Sequence, residues 1–323
     1  MKTAKSKQQQ PDVSVVVVSW NTREILLDCL RSALSTKDRL NMEITVVDNG
    51  SVDGSPEAVR EYFPGVRIIR NGANLGFSRA NNAGIRASTG KYICLVNSDV
   101  IFTENCIPLL FDHMEKNPLI GILGPQIIGR DGEVQRSCMG FPTVWNSLCR
   151  ALALDAIFPN SKLLGGQLLT YWPHDTTREV DVVNGCFWMV RRAALDMVGL
   201  LDEKFFIYGE DVDWCRRFRS RNWKVAFYPE AQAVHLGGAS SARMPVRFYL
   251  EMHRANLQYW KKHHGRRAQN LYRLTLILHD AVRLAAFALL SARDEDRAGS
   301  VSMGKVRRSA AGLRMLLSGL DGL

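Results

Sequence analysis

The chain has 323 residues, 46% hydrophobic and 23% charged, with 42 Lys and Arg against 32 Asp and Glu for a formal net charge of +10. These proportions belong to an ordinary globular chain and exclude a disordered polymer, a collagen-like repeat and a polytopic membrane protein. The charge is unevenly placed: residues 1–242 carry 27 basic and 26 acidic side chains, and residues 243–323 carry 15 and 6.

Residues 1–11 read as a polar, disordered lead-in with no apolar stretch of the kind a secretory signal needs. Val13 to Val18 is a β-branched run suited to a buried strand. Residues 23–35 follow with helical spacing of Ile25, Leu26, Cys29, Leu30 and Ala33, and Thr22 stands where a cap belongs. A second buried strand, Ile44 to Val47, ends in the turn Asp48-Asn49-Gly50-Ser51. A helix near 55–63, a strand Val66 to Ile69, a helix from Gly76 to about Ser88 and a strand Tyr92 to Val96 complete four strand–helix alternations. That rhythm predicts a mostly parallel sheet with helices on both faces, whose ligands bind beyond the carboxyl ends of the strands. Asp48 and Asp99 fall at those ends. Farther on, 120–128 and 180–190 are strand-like, 140–178 is an aromatic-rich loop-and-helix region, 209–221 is helical and 224–228 is a strand. The seven cysteines form no C-x-x-C pair and several sit in apolar runs, so they read as buried thiols in a reducing compartment.

The chemistry-bearing residues cluster at element ends. Asp48 is either a turn-former or a carboxylate for a base or ribose. Asp99, in Asn97-Ser98-Asp99, suits a divalent cation completed by phosphate oxygens, or a cap. Asn74 to Gly84 opens a helix that is either capped there with a solvated Arg79 or offers its backbone N–H groups and Arg79 to a diphosphate. Gly209-Glu210-Asp211-Val212-Asp213 sets three carboxylates at a helix start, either an acidic first turn or a general base, and the apolar Phe205 to Tyr208 beside them argues for the base. His235 is a structural histidine or a metal ligand beside Asp99.

In order and spacing these segments resemble the family 2 glycosyltransferases of GT-A fold. The resemblance runs over residues 12–240: Val17 to Asn21, Val46 to Ser55, Asn74 to Gly84, Leu95 to Asp99, Val183 to Arg192, Gly199 to Phe206, Gly209 to Trp214, and His235. It is closest to the rhamnosyltransferase-like branch. It implies an α/β fold with a Rossmann-like nucleotide-binding mixed sheet over residues 12–245, and a basic helical extension over 246–323. It further implies transfer, with inversion, of rhamnose or a related deoxysugar from a dTDP- or UDP-sugar to a glycolipid or glycan acceptor of the bacterial surface. Asp48 would read the base, with Ser19, Asn21, Asp53, Asn74, Arg79, Asn97 and Ser98 helping to hold the donor. Asp99 and His235 would ligate Mg²⁺ or Mn²⁺, and Asp211 would be the base with Glu210 as second choice. Trp188, Gly185 and Asp213 would shape the acceptor site. The usual Asp-x-Asp reads Asn97-Ser98-Asp99 here, with one carboxylate fewer for the metal. A non-catalytic, membrane-associated scaffold is the alternative that Asp48, Asp99 and Asp211 together argue against. No nucleic-acid module is recognisable, and a homodimer is left open.

Residues 271–290 are apolar and about one bilayer long. Asp280 and Arg283 near the centre would each cost about 2.5–3.5 kcal/mol in a span. On a helical projection Arg273, Thr275, His279, Asp280 and Arg283 share one arc with most aliphatics opposite, which predicts an amphipathic helix. Such a helix either docks on the catalytic domain or lies in a membrane interface, and the basic segment 305–317 adds weight to peripheral attachment to an anionic membrane surface, the cytoplasmic face of the inner membrane.

Overall fold

The structure is a computed structural model that describes residues 10–36, 39–237, 244–293 and 301–318. The predicted lead-in lies almost wholly outside them. In chain order the elements are β1 (Val13–Ser19), α1 (Arg23–Ser35), β2 (Met42–Asp48), α2 (Ser55–Tyr62), β3 (Arg67–Arg70), α3 (Phe77–Ala87), β4 (Tyr92–Asn97), β5 (Val100–Phe102), α4 (Cys106–Lys116) and β6 (Ile120–Ile128). There follow β7 (Val134–Gln135), β8 (Cys138–Met139), α5 (Val144–Ala151), α6 (Leu154–Ile157), β9 (Arg178–Glu179), β10 (Val182–Val183), β11 (Phe187–Arg191) and α7 (Arg192–Val198). The last four are α8 (Glu210–Ser220), β12 (Lys224–His235), α9 (Pro245–Arg293) and α10 (Val301–Leu317).

The main sheet runs β3-β2-β1-β4-β11-β6-β12-β5, with β7 on β6 and β9 on β12. Pairs β3–β2, β2–β1 and β1–β4 are parallel, as the alternating pattern predicts. Strand β11 then enters antiparallel between β4 and β6, so the sheet is mixed. Successive residues of the central strands serve opposite faces. Val13, Val15 and Val17 pack with α1, α2 and α4 on one side. Val16, Ile93 and Leu95 pack with α3, α7 and α8 on the other. A side chain at Gly84 would run into Val16 and Val47, so this glycine lets α3 lie close on the sheet.

Three boundaries differ from the sequence reading. The Thr22 hydroxyl makes no cap bond and instead lies 2.8 Å from the Ser98 hydroxyl, tying the ends of β1 and β4 together. The strand expected at 224–228 continues to His235, where it pairs antiparallel with β5. The predicted amphipathic helix is the second arm of α9, which breaks at Gly265 with φ 82°.

Helices α9 and α10 pack together over a third cluster of Phe205, Leu257, Tyr259, Trp260, Tyr272, Leu276 and Leu316. The second arm of α9 turns its polar arc inward: Asp280 is 0% exposed and bonded to Tyr249 and His253, and Arg273 donates to the Leu316 carbonyl. Its aliphatics Leu271, Leu274, Val282 and Leu289 face out. No helix among the described residues is long and apolar enough to cross a membrane.

Candidate active site

The chain order reverses direction at β1, with β2 on one side and β4 on the other, and a crevice opens beyond the carboxyl ends of such a pair. Here it is a cavity of about 330 Å³ lined by Val18, Trp20, Asn49, Asn74, Gly76, Phe77, Asn97, Ser98, Asp99, Phe206, Ile207, Tyr208, His235 and Phe248. Its floor is fixed by amide side chains. Asn49 donates to Asn74 Oδ1 at 2.9 Å and accepts from Leu75 N at 3.0 Å. Asn74 accepts from Gly76 N at 3.0 Å, and Phe77 N donates to the Phe206 carbonyl at 2.6 Å. Gly76 has φ +88° and a Cβ there would sit 2.5 Å from the Phe206 oxygen, so only glycine permits this close approach.

Pairing of His235 with Val100 brings the imidazole beside Asp99, with Nε2 3.3 Å from Oδ1. Gln135 donates its amide N–H to the His235 carbonyl and offers Oε1 to His235 Nδ1 at 3.1 Å. The Nδ1 proton is therefore committed to Gln135, and in the uncharged ring Nε2 would present a lone pair to the carboxylate. Two facing acceptors require a shared proton or a cation, and imidazole with carboxylate suits Mn²⁺ or Mg²⁺. No group of three or more His, Cys, Asp or Glu able to hold a metal occurs among the described residues, so further oxygens would have to come from a ligand.

A second cavity, about 220 Å³, lies on the far side of Tyr208, which lines both. Tyr208 has φ +67°, and Gly209 follows with φ +75° as the cap of α8. Asp211 lines this second cavity, and its Oδ1 accepts from Val212 N at 2.8 Å. Burial pushes its pKa up to about 6, against the pull of that N–H. Glu210 is buried, its Oε2 has no partner, and burial and then the Asp211 charge push its pKa well up. Burial therefore favours the protonated form of Glu210, and of the two only Asp211 lines the cavity. Burial and then the Asp99 charge push the Cys186 thiol up, with a smaller push from Asp211.

Other expected site residues sit elsewhere. Trp188 is 0% exposed, donates to the Val183 carbonyl and packs on Phe77 and Trp214, so it is a core residue with no face to offer a sugar. Gly185 packs beside its ring. Asp213 points into the protein, paired with Arg217 at 2.9 Å, Lys262 at 2.6 Å and His263 at 2.7 Å. Burial alone would raise its pKa, but the His263 bond, the Arg217 charge and Lys262 hold it down at about 2. It joins α8 to α9 and does not line the acceptor-side cavity. Arg79 is half exposed beside Glu203 at 3.6 Å, off the cavity. Asp48 accepts from Ser51 N, Asp53 from Arg23 N and Ser55, and Asn21 donates its N–H to Ser51, so these three hold the turn after β2 against β1. Ser19 adjoins Thr22 at 3.0 Å behind the Ser98 contact.

The sequence reading missed the residues that α5 and α9 bring to the second cavity, including Arg150, His253, Tyr272 and His279. The inward arc of α9 was visible as a polar stripe, but nothing in the periodicity said that it faced a site.

A family model described as Glycosyl transferase family 2 matches residues 14–198. The N-acetylglucosaminyl-diphospho-decaprenol L-rhamnosyltransferase of Mycobacterium tuberculosis is 28% identical over 264 residues, 74% of this chain and 81% of that one. A low-salt glycan biosynthesis hexosyltransferase of Haloferax volcanii is 26% identical over 232 residues, 69% of this chain and 67% of that one. Among solved structures, a mannosyltransferase of Pyrobaculum calidifontis in complex with GDP-Man and Mn²⁺ aligns over 96% of this chain and 88% of its own, with TM-score 0.57 and 16% identity. The shared architecture is GT-A.

Proposed function

The chain belongs to glycosyl transferase family 2 and is a glycosyltransferase, and from that premise we propose an inverting transfer of rhamnose or a related deoxysugar from a dTDP- or UDP-sugar to a glycan or glycolipid acceptor. The observation that carries the reading is the pair of cavities meeting at Tyr208, one with Asp99 and His235, the other with Asp211. The donor occupies the first, its diphosphate near Asp99 and the N-terminus of α3. Asn74, Asn97 and Ser98 border it, while Asp48, Asp53, Ser19 and Asn21 shape the nucleotide side through the turns they tie down. The acceptor hydroxyl meets Asp211 across Tyr208. Asp211 takes the hydroxyl proton as the oxygen attacks the anomeric carbon from the face opposite the diphosphate, whose C–O bond breaks. A divalent cation held by Asp99 and His235 would supply charge neutralisation to the departing diphosphate. One base suffices for a single displacement, so a buried, protonated Glu210 is no obstacle.

The transferase unit in this reading is residues 12–245, and residues 246–323 are its helical extension. The outward aliphatic stripe of α9, with exposed Arg266 and Arg267 at its start, supports lying on an anionic leaflet. Leu274→Glu with Leu289→Glu is expected to abolish flotation with anionic vesicles, and unchanged flotation removes that attachment. The donor is tested by thermal shift against UDP-, dTDP- and GDP-sugars with and without Mn²⁺. A specific dTDP- or UDP-sugar should raise Tm in a Mn²⁺-dependent way that His235→Ala abolishes. Stabilisation by GDP-sugars alone refutes the donor assignment.

A further inference from the structure

The cavity beside Asp211 ends in a wall built by α5 and both arms of α9, which the transfer step leaves unused. Its volume is about 220 Å³. Three side chains of this wall have polar atoms without a partner among the described residues. Arg150, in the last turn of α5, lines it, and its side chain makes no ion pair or hydrogen bond among the described residues. His279 Nε2 accepts from Arg283 Nε at 2.7 Å. A guanidinium has only hydrogens to give, so the His279 ring proton is on Nδ1, which has no partner among the described residues. Burial and then the Arg283 charge hold the His279 pKa down at about 4, which keeps the ring a neutral donor. His253 is 1% exposed, with Nε2 2.9 Å from Asp280 Oδ2, and its Nδ1 is buried and unpartnered. Unpaired groups of this kind are costly to keep under cover unless a ligand satisfies them.

We propose that this wall is an anion subsite of the acceptor: the cavity takes a sugar carrying a phosphate or diphosphate ester, with the phosphate on Arg150 and His279 and a sugar hydroxyl on Asp211. The ionised Asp211 keeps the anion away from its own end, which fixes the orientation. A forked guanidinium suits a phosphate better than a point charge does. The inference rests on the transferase reading, because it takes Asp211 as the base. The wall residues from α9 lie beyond the segment that the family model matches, so they are where this chain sets its own acceptor choice.

The test is calorimetric binding to the full chain with UDP, dTDP and Mn²⁺ present to fill the donor cavity, using glucose 1-phosphate and glucose as probes. Glucose 1-phosphate should bind the parent at least tenfold more tightly than glucose, and Arg150→Gln should lose that advantage while Arg150→Lys keeps part of it. Equal binding of the two probes, no binding of glucose 1-phosphate, or an unchanged Arg150→Gln overturns the subsite. If Arg150→Gln does not fold, His279→Gln carries the same expectation. Nucleotide binding is read separately: parent protein that binds no nucleotide overturns the transferase reading and the subsite with it, whereas nucleotide binding without the phosphate preference overturns the subsite alone. Among supporting results, displacement of glucose 1-phosphate by phosphatidylcholine vesicles doped with a polyprenyl diphospho-sugar assigns the phosphate to a lipid headgroup. Displacement by no vesicle assigns it to a soluble sugar phosphate.

Discussion

Replacing Asp213 by Asn should weaken the fold and leave the chemistry in place. The carboxylate is 0% exposed and faces Arg217, Lys262 and His263, which tie α8 to the first arm of α9. Its folded pKa of about 2 lies below the ordinary aspartate value of 3.8, and that gap is worth about 2 kcal/mol. Removing one partner of a buried pair costs about 3–5 kcal/mol when the remaining charge is stranded, and Asn keeps part of the hydrogen bonding, so about 2–4 kcal/mol is expected. That is a fall in Tm of roughly 3–6 °C at neutral pH for a chain of this length. The sign with pH follows from the depressed pKa. The stabilisation is fully present above 3.8 and is lost as pH falls through about 2, so the gap between parent and variant should narrow only below about pH 4. Thermal melts followed by circular dichroism at several pH values measure this. A variant that melts with its parent at neutral pH, or a gap that widens on acidification, refutes the reasoning. So does a variant of unchanged stability that loses acceptor binding, which would return Asp213 to the acceptor site.

Trp188→Ala should cost about 3–5 kcal/mol through the cavity it leaves among Phe77 and Trp214, seen by chemical denaturation. Gly76→Ala should cost about 1–3 kcal/mol and abolish nucleotide-dependent thermal stabilisation, because its Cβ meets the Phe206 carbonyl at positive φ. Asp211→Asn should lower transfer by about 10²–10⁴-fold while nucleotide stabilisation persists, and Glu210→Gln should cost far less. In the parent, transfer should fall on acidification through about pH 6, where burial places the Asp211 pKa, and not near the ordinary aspartate value of 3.8. An acid limb near that ordinary value would show a solvated base.

The nucleotide half of the fold was legible because its strands announce themselves locally. Val13 to Val18 and Tyr92 to Val96 are apolar on both faces, which only a strand covered by helices on both sides tolerates. The insertion of β11 between β4 and β6 was not legible, since pairing Met189 with Cys94 and Leu123 joins segments that no local pattern connects. Trp188 was misread because a tryptophan after Asn184-Gly185 has the composition of a sugar platform, and only its neighbours reveal a core position. In α9 the period gave two faces correctly but not their direction. Asp280 satisfied by Tyr249 and His253 makes the polar face the inner one, and that outcome depends on partners about thirty residues away.

The pairing of β5 with β12 imposes an order on synthesis. Strand β5 follows β4 directly, yet its neighbour in the sheet is residues 233–235, which leave the ribosome more than a hundred residues later. The first four parallel-sheet strands can close around α1, α2 and α3 as soon as they emerge. Until β12 arrives, the edge at Val100 is unpaired and Asp99 faces no imidazole. A nascent chain stopped before His235 would therefore have a nearly complete nucleotide-side core and an unfinished centre, so the last strand to join the sheet is also the one that completes the pair of candidate ligands.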